Sequence, residues 1–206
     1  MEKRMTVTYE VGEGLYINMT NRCSNRCTFC IRNNGDGAYG SESLWLLREP
    51  CLEEVLESVF SRDLSKYTEV VFCGYGEPTY RLEDVRKVAL AIKEKYPNMP
   101  IRINTNGQSD LILDFDTAPL FADAFDVVSI SLNASNSEKY VDICQPVFKN
   151  RAFSAIIEFA KNVKFYVQKV QFSVVRQTLT EKELSECEEI AKSSGVYLYV
   201  RDYIEG

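Results

Sequence analysis

Three thiols stand within eight positions of the chain, at Cys23, Cys27 and Cys30 of the run CSNRCTFC, spaced C-x3-C-x2-C. Thiolates are ligands for zinc and for iron–sulfur clusters. A structural zinc site normally closes with four protein ligands, and the chain has no histidine to supply a fourth. A remote cysteine such as Cys51 or Cys73 would then have to complete it. A [4Fe–4S] cluster held by three thiolates leaves one iron without a protein ligand, and an open iron binds a substrate or cofactor directly. Three close ligands therefore point first to a catalytic cluster, with zinc as the alternative. The absence of histidine also removes a Ser-His-Asp triad and a Cys-His nucleophile pair. The seven cysteines are odd in number, and the N-terminal run MEKRMTVTYEVGEG has no apolar stretch of signal-peptide type. A reducing, cytoplasmic setting with metal-ligating thiols is expected, rather than a disulfide framework.

These thiols need a scaffold. The 206 residues suffice for one domain with a substantial core. No run of about 18 apolar residues exists to span a membrane. The net charge of −6 argues against a general nucleic-acid surface. Strand-like and helix-like segments alternate along the chain. Strands are expected over 14–20, 69–78, 100–107, 126–135, 169–178 and 196–204. Helices are expected over 51–60, 82–96, 117–125, 137–143, 151–163 and 180–195, the last with Thr180 and Glu183 as a capping box and Gly195 beyond its end. Six such units imply a parallel sheet, either doubly wound and open or a partial barrel. Polar segments follow the strands: the cysteine loop, GYGEPT, NTNG, SLNAS and VRQT. Sites in parallel α/β folds lie at the carboxyl ends of strands, so these segments converge where a site belongs.

The loop CSNRCTFC resembles the cluster-binding loop of the radical S-adenosylmethionine (radical SAM) superfamily, C-x3-C-x-aromatic-C, with Phe29 as the aromatic. Its place directly after the first strand matches, and the resemblance extends over nearly the whole chain. GYGEPT resembles the family's Gly-Gly-Glu-Pro turn, with Tyr75 in place of the second glycine. The resemblance implies a partial (β/α)6 TIM-type barrel forming one domain over 1–206. It implies a [4Fe–4S] cluster on Cys23, Cys27 and Cys30, and S-adenosylmethionine at the open iron. It places Phe29, Gly74, Tyr75, Gly76, Glu77, Asn104, Ser131, Asn133 and Arg176 around that cofactor, with the 74–77 turn receiving its ammonium and Arg176 its carboxylate. It implies reductive cleavage to a 5′-deoxyadenosyl radical that abstracts hydrogen from a substrate, with flavodoxin or ferredoxin as the external one-electron reductant.

The loop after Cys30, IRNNGDGAYGSESLWLLREP, resembles the short TatD-associated radical SAM proteins. A partial barrel open at its side fits a peptide or protein substrate, and a glycyl-radical-activating enzyme is a specific alternative. Trp45, Tyr39 and Tyr75 are candidates to stack on a planar substrate, packing being the simpler role for Trp45. Cys51, Cys73, Cys144 and Cys187 read as free buried thiols. From another class, an electron carrier would use four cysteines and would not need the GYGEP turn, and a zinc-stabilised interaction module remains.

Overall fold

The computed structural model describes residues 5–35, 37–38 and 40–203. Its strands are built on strict alternation. In β4 (Ile101–Thr105) Ile101 and Ile103 are fully buried while Arg102 and Asn104 point the other way. The same parity runs through β5 (Val127–Ser131), β6 (Lys169–Val175) and β7 (Tyr197–Arg201). Val128, Ile130, Val170, Phe172 and Val174 belong to one core cluster, with Leu198 and Val200 packed against it. Ser129, Ser131, Gln171, Ser173, Tyr199 and Arg201 occupy the alternate positions, on the other face. With β2 (Gly14–Ile17) and β3 (Glu69–Phe72), these strands form six parallel neighbours in simple chain order.

That order decides between the two architectures. A doubly wound sheet must reverse its strand order, whereas consecutive right-handed crossovers in one direction put every helix on the same face. The helices are α1 (Leu52–Phe60), α2 (Leu82–Lys95), α3 (Ser109–Leu113), α4 (Ser137–Cys144), α5 (Arg151–Val163) and α6 (Glu181–Ser194). α5 shows how they hold the apolar face: Ala152, Phe153, Ile156, Phe159, Ala160 and Val163 recur at helical spacing and are all buried. Each large buried side chain of this kind stabilises by about 1.5–3 kcal/mol. The other face becomes the concave, polar interior of an unclosed barrel. Among the described residues no helix is long and apolar enough to cross a membrane.

Two expectations change. A seventh strand, β1 (Thr8–Val11), pairs antiparallel with β2 through a two-residue turn at Gly12, whose φ of +56° suits glycine. The 117–125 segment is not a helix of its own. It makes one 3-10 turn, Ala118–Phe121, and Asp123 at φ 62° ends any continuation. A short helix, α3, precedes it instead.

Two helix caps hold carboxyls below their ordinary range. Arg48 and the Cys51 N–H hold the Glu54 carboxyl down at about 2, and Lys139 and the Thr180 N–H do the same for Glu183. Carboxyls held below their ordinary 4.5 stabilise the folded state fully above that pH and lose the effect as pH falls toward 2. Thermal melts from pH 6 to pH 3 should therefore drop, and Glu183→Gln should lower the pH 6 value while flattening the slope.

Candidate active site

The cysteine loop leaves β2 and is held by backbone before any side chain acts. Arg26 and Thr28 N–H groups donate to the Cys144 and Ile143 carbonyls at the C-terminal end of α4, at 2.9 Å each, and Val147 N–H donates to Ser24 O at 2.8 Å. The first two bonds use carbonyls that a helix end leaves orphaned. Behind the loop, Asn25 donates to the Tyr140 hydroxyl (2.8 Å), and Gln108 donates to both the Asn25 Oδ1 and the Tyr140 hydroxyl (2.9 Å each). Asn106 Nδ2 reaches Ser24 Oγ at 2.8 Å. The three thiols remain partly exposed on this rigid base. Burial pushes Cys23 up to about 12, with the Glu77 charge adding to it, and burial also raises Cys30. Cys27 is raised chiefly by its hydrogen bond with Cys144, then by burial. Arg32, whose Nη2 donates to Asn25 O at 3.3 Å, opposes all three shifts. Phe29 packs against the main core from within the loop.

The GYGEP turn meets this loop from β3. A Cβ on Gly76 would lie far inside contact of the Thr20 carbonyl oxygen and 2.7 Å from Arg22 O, and one on Gly74 would strike the Asn18 carboxamide. These glycines are required by close approach of two backbones. Glu77 is buried, and four donors occupy its carboxylate: Thr79 N–H (3.1 Å), Thr79 Oγ1 (2.7 Å), Thr105 Oγ1 (2.7 Å) and Asn106 N–H (2.6 Å). Burial raises its pKa against those bonds. Its carboxylate thus ties the β3 turn to the β4 turn. Tyr75 is buried, donates to Gly35 O at 3.0 Å and meets the Trp45 ring edge at 5.1 Å, so the second-glycine position anchors the loop after Cys30. Tyr39 lies outside the described residues.

Beside the loop, a cavity of about 480 Å³ opens on the polar sheet face, lined among others by Ile31, Cys73, Tyr75, Asn104, Ser131 and Arg201. A larger hollow, about 900 Å³, lies between Pro97, Asp126, Lys169 and Tyr197 at the strands' N-terminal ends. That end of a parallel α/β fold carries stability rather than chemistry, so the smaller cavity is the candidate site. Asn104 accepts from Arg102 at 3.0 Å. Asn133 is buried at φ 57°, with Nδ2 on Cys144 Sγ at 3.7 Å and its Oδ1 without a hydrogen-bond partner among the described residues.

Arg176 does not join the cavity lining. It opens a 3-10 turn after β6 and pairs with Glu181 at 3.7 Å, half exposed. Among the other cysteines, Cys51 is exposed rather than buried, Cys73 lines the cavity, and Cys144 abuts Cys27. The Asn25–Gln108–Tyr140 network had no sequence signal, because its members are more than 30 residues apart.

A protein-family model for the radical SAM superfamily matches residues 17–190. The chain belongs to the radical SAM superfamily. Radical SAM proteins are enzymes that use a [4Fe–4S] cluster with S-adenosylmethionine. Similar proteins include a 5-amino-6-(D-ribitylamino)uracil–L-tyrosine 4-hydroxyphenyl transferase of Methanosarcina barkeri, 34% identical over 47% of this chain and 22% of the relative. A GTP 3′,8-cyclase of Corynebacterium glutamicum is 32% identical over 65% of this chain and 34% of the relative. This chain thus spans about a fifth to a third of those relatives. The fold resembles Streptococcus suis SuiB bound to the precursor peptide SuiA, with TM-score 0.69 and 17% identity, over 96% of this chain and 41% of SuiB.

The radical SAM cofactors suit the residues present. The Asn25 N–H points at Cys23 Sγ (3.4 Å), and the positive Arg32 stands near all three thiols, the surroundings that steady thiolates on iron. Among the described residues no three ligating side chains stand close enough to share one metal ion. A cluster asks instead for thiols at separate corners of a cage. The orphaned Asn133 Oδ1 offers an acceptor to a bound group.

Proposed function

We propose that this chain is a radical SAM enzyme of the short TatD-associated group, with Cys23, Cys27 and Cys30 as the ligands of one [4Fe–4S] cluster. The observation that carries this reading is a three-thiol loop, fixed by backbone bonds to α4 and running directly into Ile31 on the wall of a cavity at the strands' carboxyl ends. When bound, the cluster and S-adenosylmethionine supply a 5′-deoxyadenosyl radical for hydrogen-atom abstraction. The chain's own residues position and enclose. Gly74 and Gly76 let the β3 turn close onto the loop, and Glu77 locks that turn to β4. Tyr75 and Trp45 seat the segment after Cys30 over the cavity rim, limiting water entry. Asn133 presents a carboxamide oxygen without a hydrogen-bond partner among the described residues, and Ser131 lines the cavity. The barrel's unclosed side supports a large substrate such as a peptide or protein, and electrons come from a flavodoxin- or ferredoxin-type donor.

The test is anaerobic reconstitution followed by electron paramagnetic resonance of the reduced protein. A [4Fe–4S]+ signal that changes on adding S-adenosylmethionine supports the reading. A signal indifferent to it points to an electron carrier, and stoichiometric zinc without iron defeats the enzyme reading.

A further inference from the structure

The cavity contains a guanidinium with no ion pair among the described residues. Two arginines line it. Arg102 is neutralised: Glu69 binds it through two bonds, at 2.6 and 3.0 Å, and the Tyr16 hydroxyl and Asn104 accept two more. Arg201 has no ion pair and no hydrogen bond among the described residues, although it is partly buried. Its neighbour Asp202 accepts from Gln177 at 3.2 Å instead of pairing with it.

Strand register gives Arg201 its place. Ser131, Ser173 and Tyr199 align across β5, β6 and β7 as one layer of the polar face. Asn104, Ser129, Gln171 and Tyr197 form the layer below. Arg201 stands two residues beyond Tyr199, above the hydroxyl layer and toward the cysteine loop, where its charge is felt at Cys30 and Cys73. Asp202 lines the same cavity but is not paired with Arg201, and a half-buried cation over hydroxyls with no carboxylate partner among the described residues is costly unless a ligand completes it.

We propose that Arg201 holds an anionic group of the substrate, a carboxylate or a phosphate, while Ser131, Ser173 and Tyr199 receive the neutral polar part next to it. A planar guanidinium meets either oxyanion with two parallel bonds. This rests on the radical SAM reading for where the reaction occurs, and it narrows the substrate to molecules with an anion beside the reacting carbon.

The experiment uses reconstituted holoenzyme with saturating S-adenosylmethionine, and inorganic phosphate and propionate as calorimetric probes. Wild type should bind at least one probe saturably. Arg201→Gln should weaken that binding about 10–100-fold, the effect of a lost charge-assisted contact, and Arg201→Lys should recover part of it. Arg151→Gln, exposed on α5, should bind as wild type. Which probe binds tells carboxylate from phosphate. Wild type that binds neither, or an Arg201→Gln enzyme that binds equally well, overturns the assignment. So does an Arg201→Gln enzyme that binds the probes normally but has lost affinity for S-adenosylmethionine, because the guanidinium then serves that cofactor's own carboxylate. Production of 5′-deoxyadenosine by wild type, assayed in the same preparation, reports separately on the radical SAM reading.

Discussion

Replacing Cys23, Cys27 and Cys30 together by alanine is expected to leave a folded protein that binds no iron and no longer cleaves S-adenosylmethionine. Retention of the fold follows from how the loop is held. Its three backbone bonds to and just beyond the end of α4, and the Asn25–Gln108–Tyr140 network, do not involve a thiol. The three side chains are only partly buried, so removing them costs little packing. Cys27, beside the buried Cys144, contributes most, about 1 kcal/mol. Activity should fall below detection, since a cluster cannot be held at a fixed position without its thiolates. Iron and sulfide per chain, 5′-deoxyadenosine by chromatography and circular dichroism check the three parts. Wild-type iron content in the triple variant would place the ligands elsewhere in the chain.

Gly76→Ala is expected to be the most damaging single-methyl change near the site. The new carbon has to displace the Thr20 and Arg22 carbonyls, which are backbone, and the bond from Glu77 N–H to Arg22 O (2.7 Å) would be pushed apart. Overpacking of this kind costs about 3 kcal/mol, or roughly 6–12 °C in Tm for a chain of this size. Gly74→Ala should cost less, because its obstacle is a side chain. Asn18 can turn away only by giving up its 2.7 Å bond to Leu44 O, so the effect is not negligible. Gly35→Ala, with open space around it, is the control. Thermal melts of the three variants rank these obstacles, and equal Tm values for Gly76→Ala and Gly35→Ala would show that the turn is not tightly closed.

Much of this was legible in the sequence. The C-x3-C-x2-C run pointed to the family that the match over residues 17–190 shows, because clustered thiols in a polar loop have few other uses. The strand–helix alternation survives because each element has its own periodicity. β1 escaped because a four-residue strand paired through Gly12 is too short to stand out. The polar interior was written in the alternation of IRIN, SIS and QFS, but the strands read as simply buried, and the hydrophilic half of the pattern went unused. The two arginines show where reading stops. Both stand at strand carboxyl ends, yet Val175 ends β6 and the turn that follows swings Arg176 to Glu181, whereas Arg201 is still within β7 and keeps the inward parity. Strand ends depend on where hydrogen bonding to a neighbour stops, which no local spacing encodes. The roles of Gly74 and Gly76, and the Glu77 tie to β4, were hidden for a related reason: the partners Asn18, Thr20, Arg22, Thr105 and Asn106 come from segments far away in sequence.

The backbone clamp between the cysteine loop and α4 also bears on the order of assembly. In small zinc domains, metal binding and folding are one event, and chelators denature the protein. Here the ligand loop is fixed by peptide groups of a helix more than 100 residues away. The receptacle therefore exists as soon as the chain has folded, and the cluster can be handed over to a finished protein. Amides of Arg26 and Thr28 should already exchange slowly with deuterium in apoprotein, and loading should slow them little further. Maturation of such a protein is a docking problem for the delivery machinery rather than a folding problem for the chain.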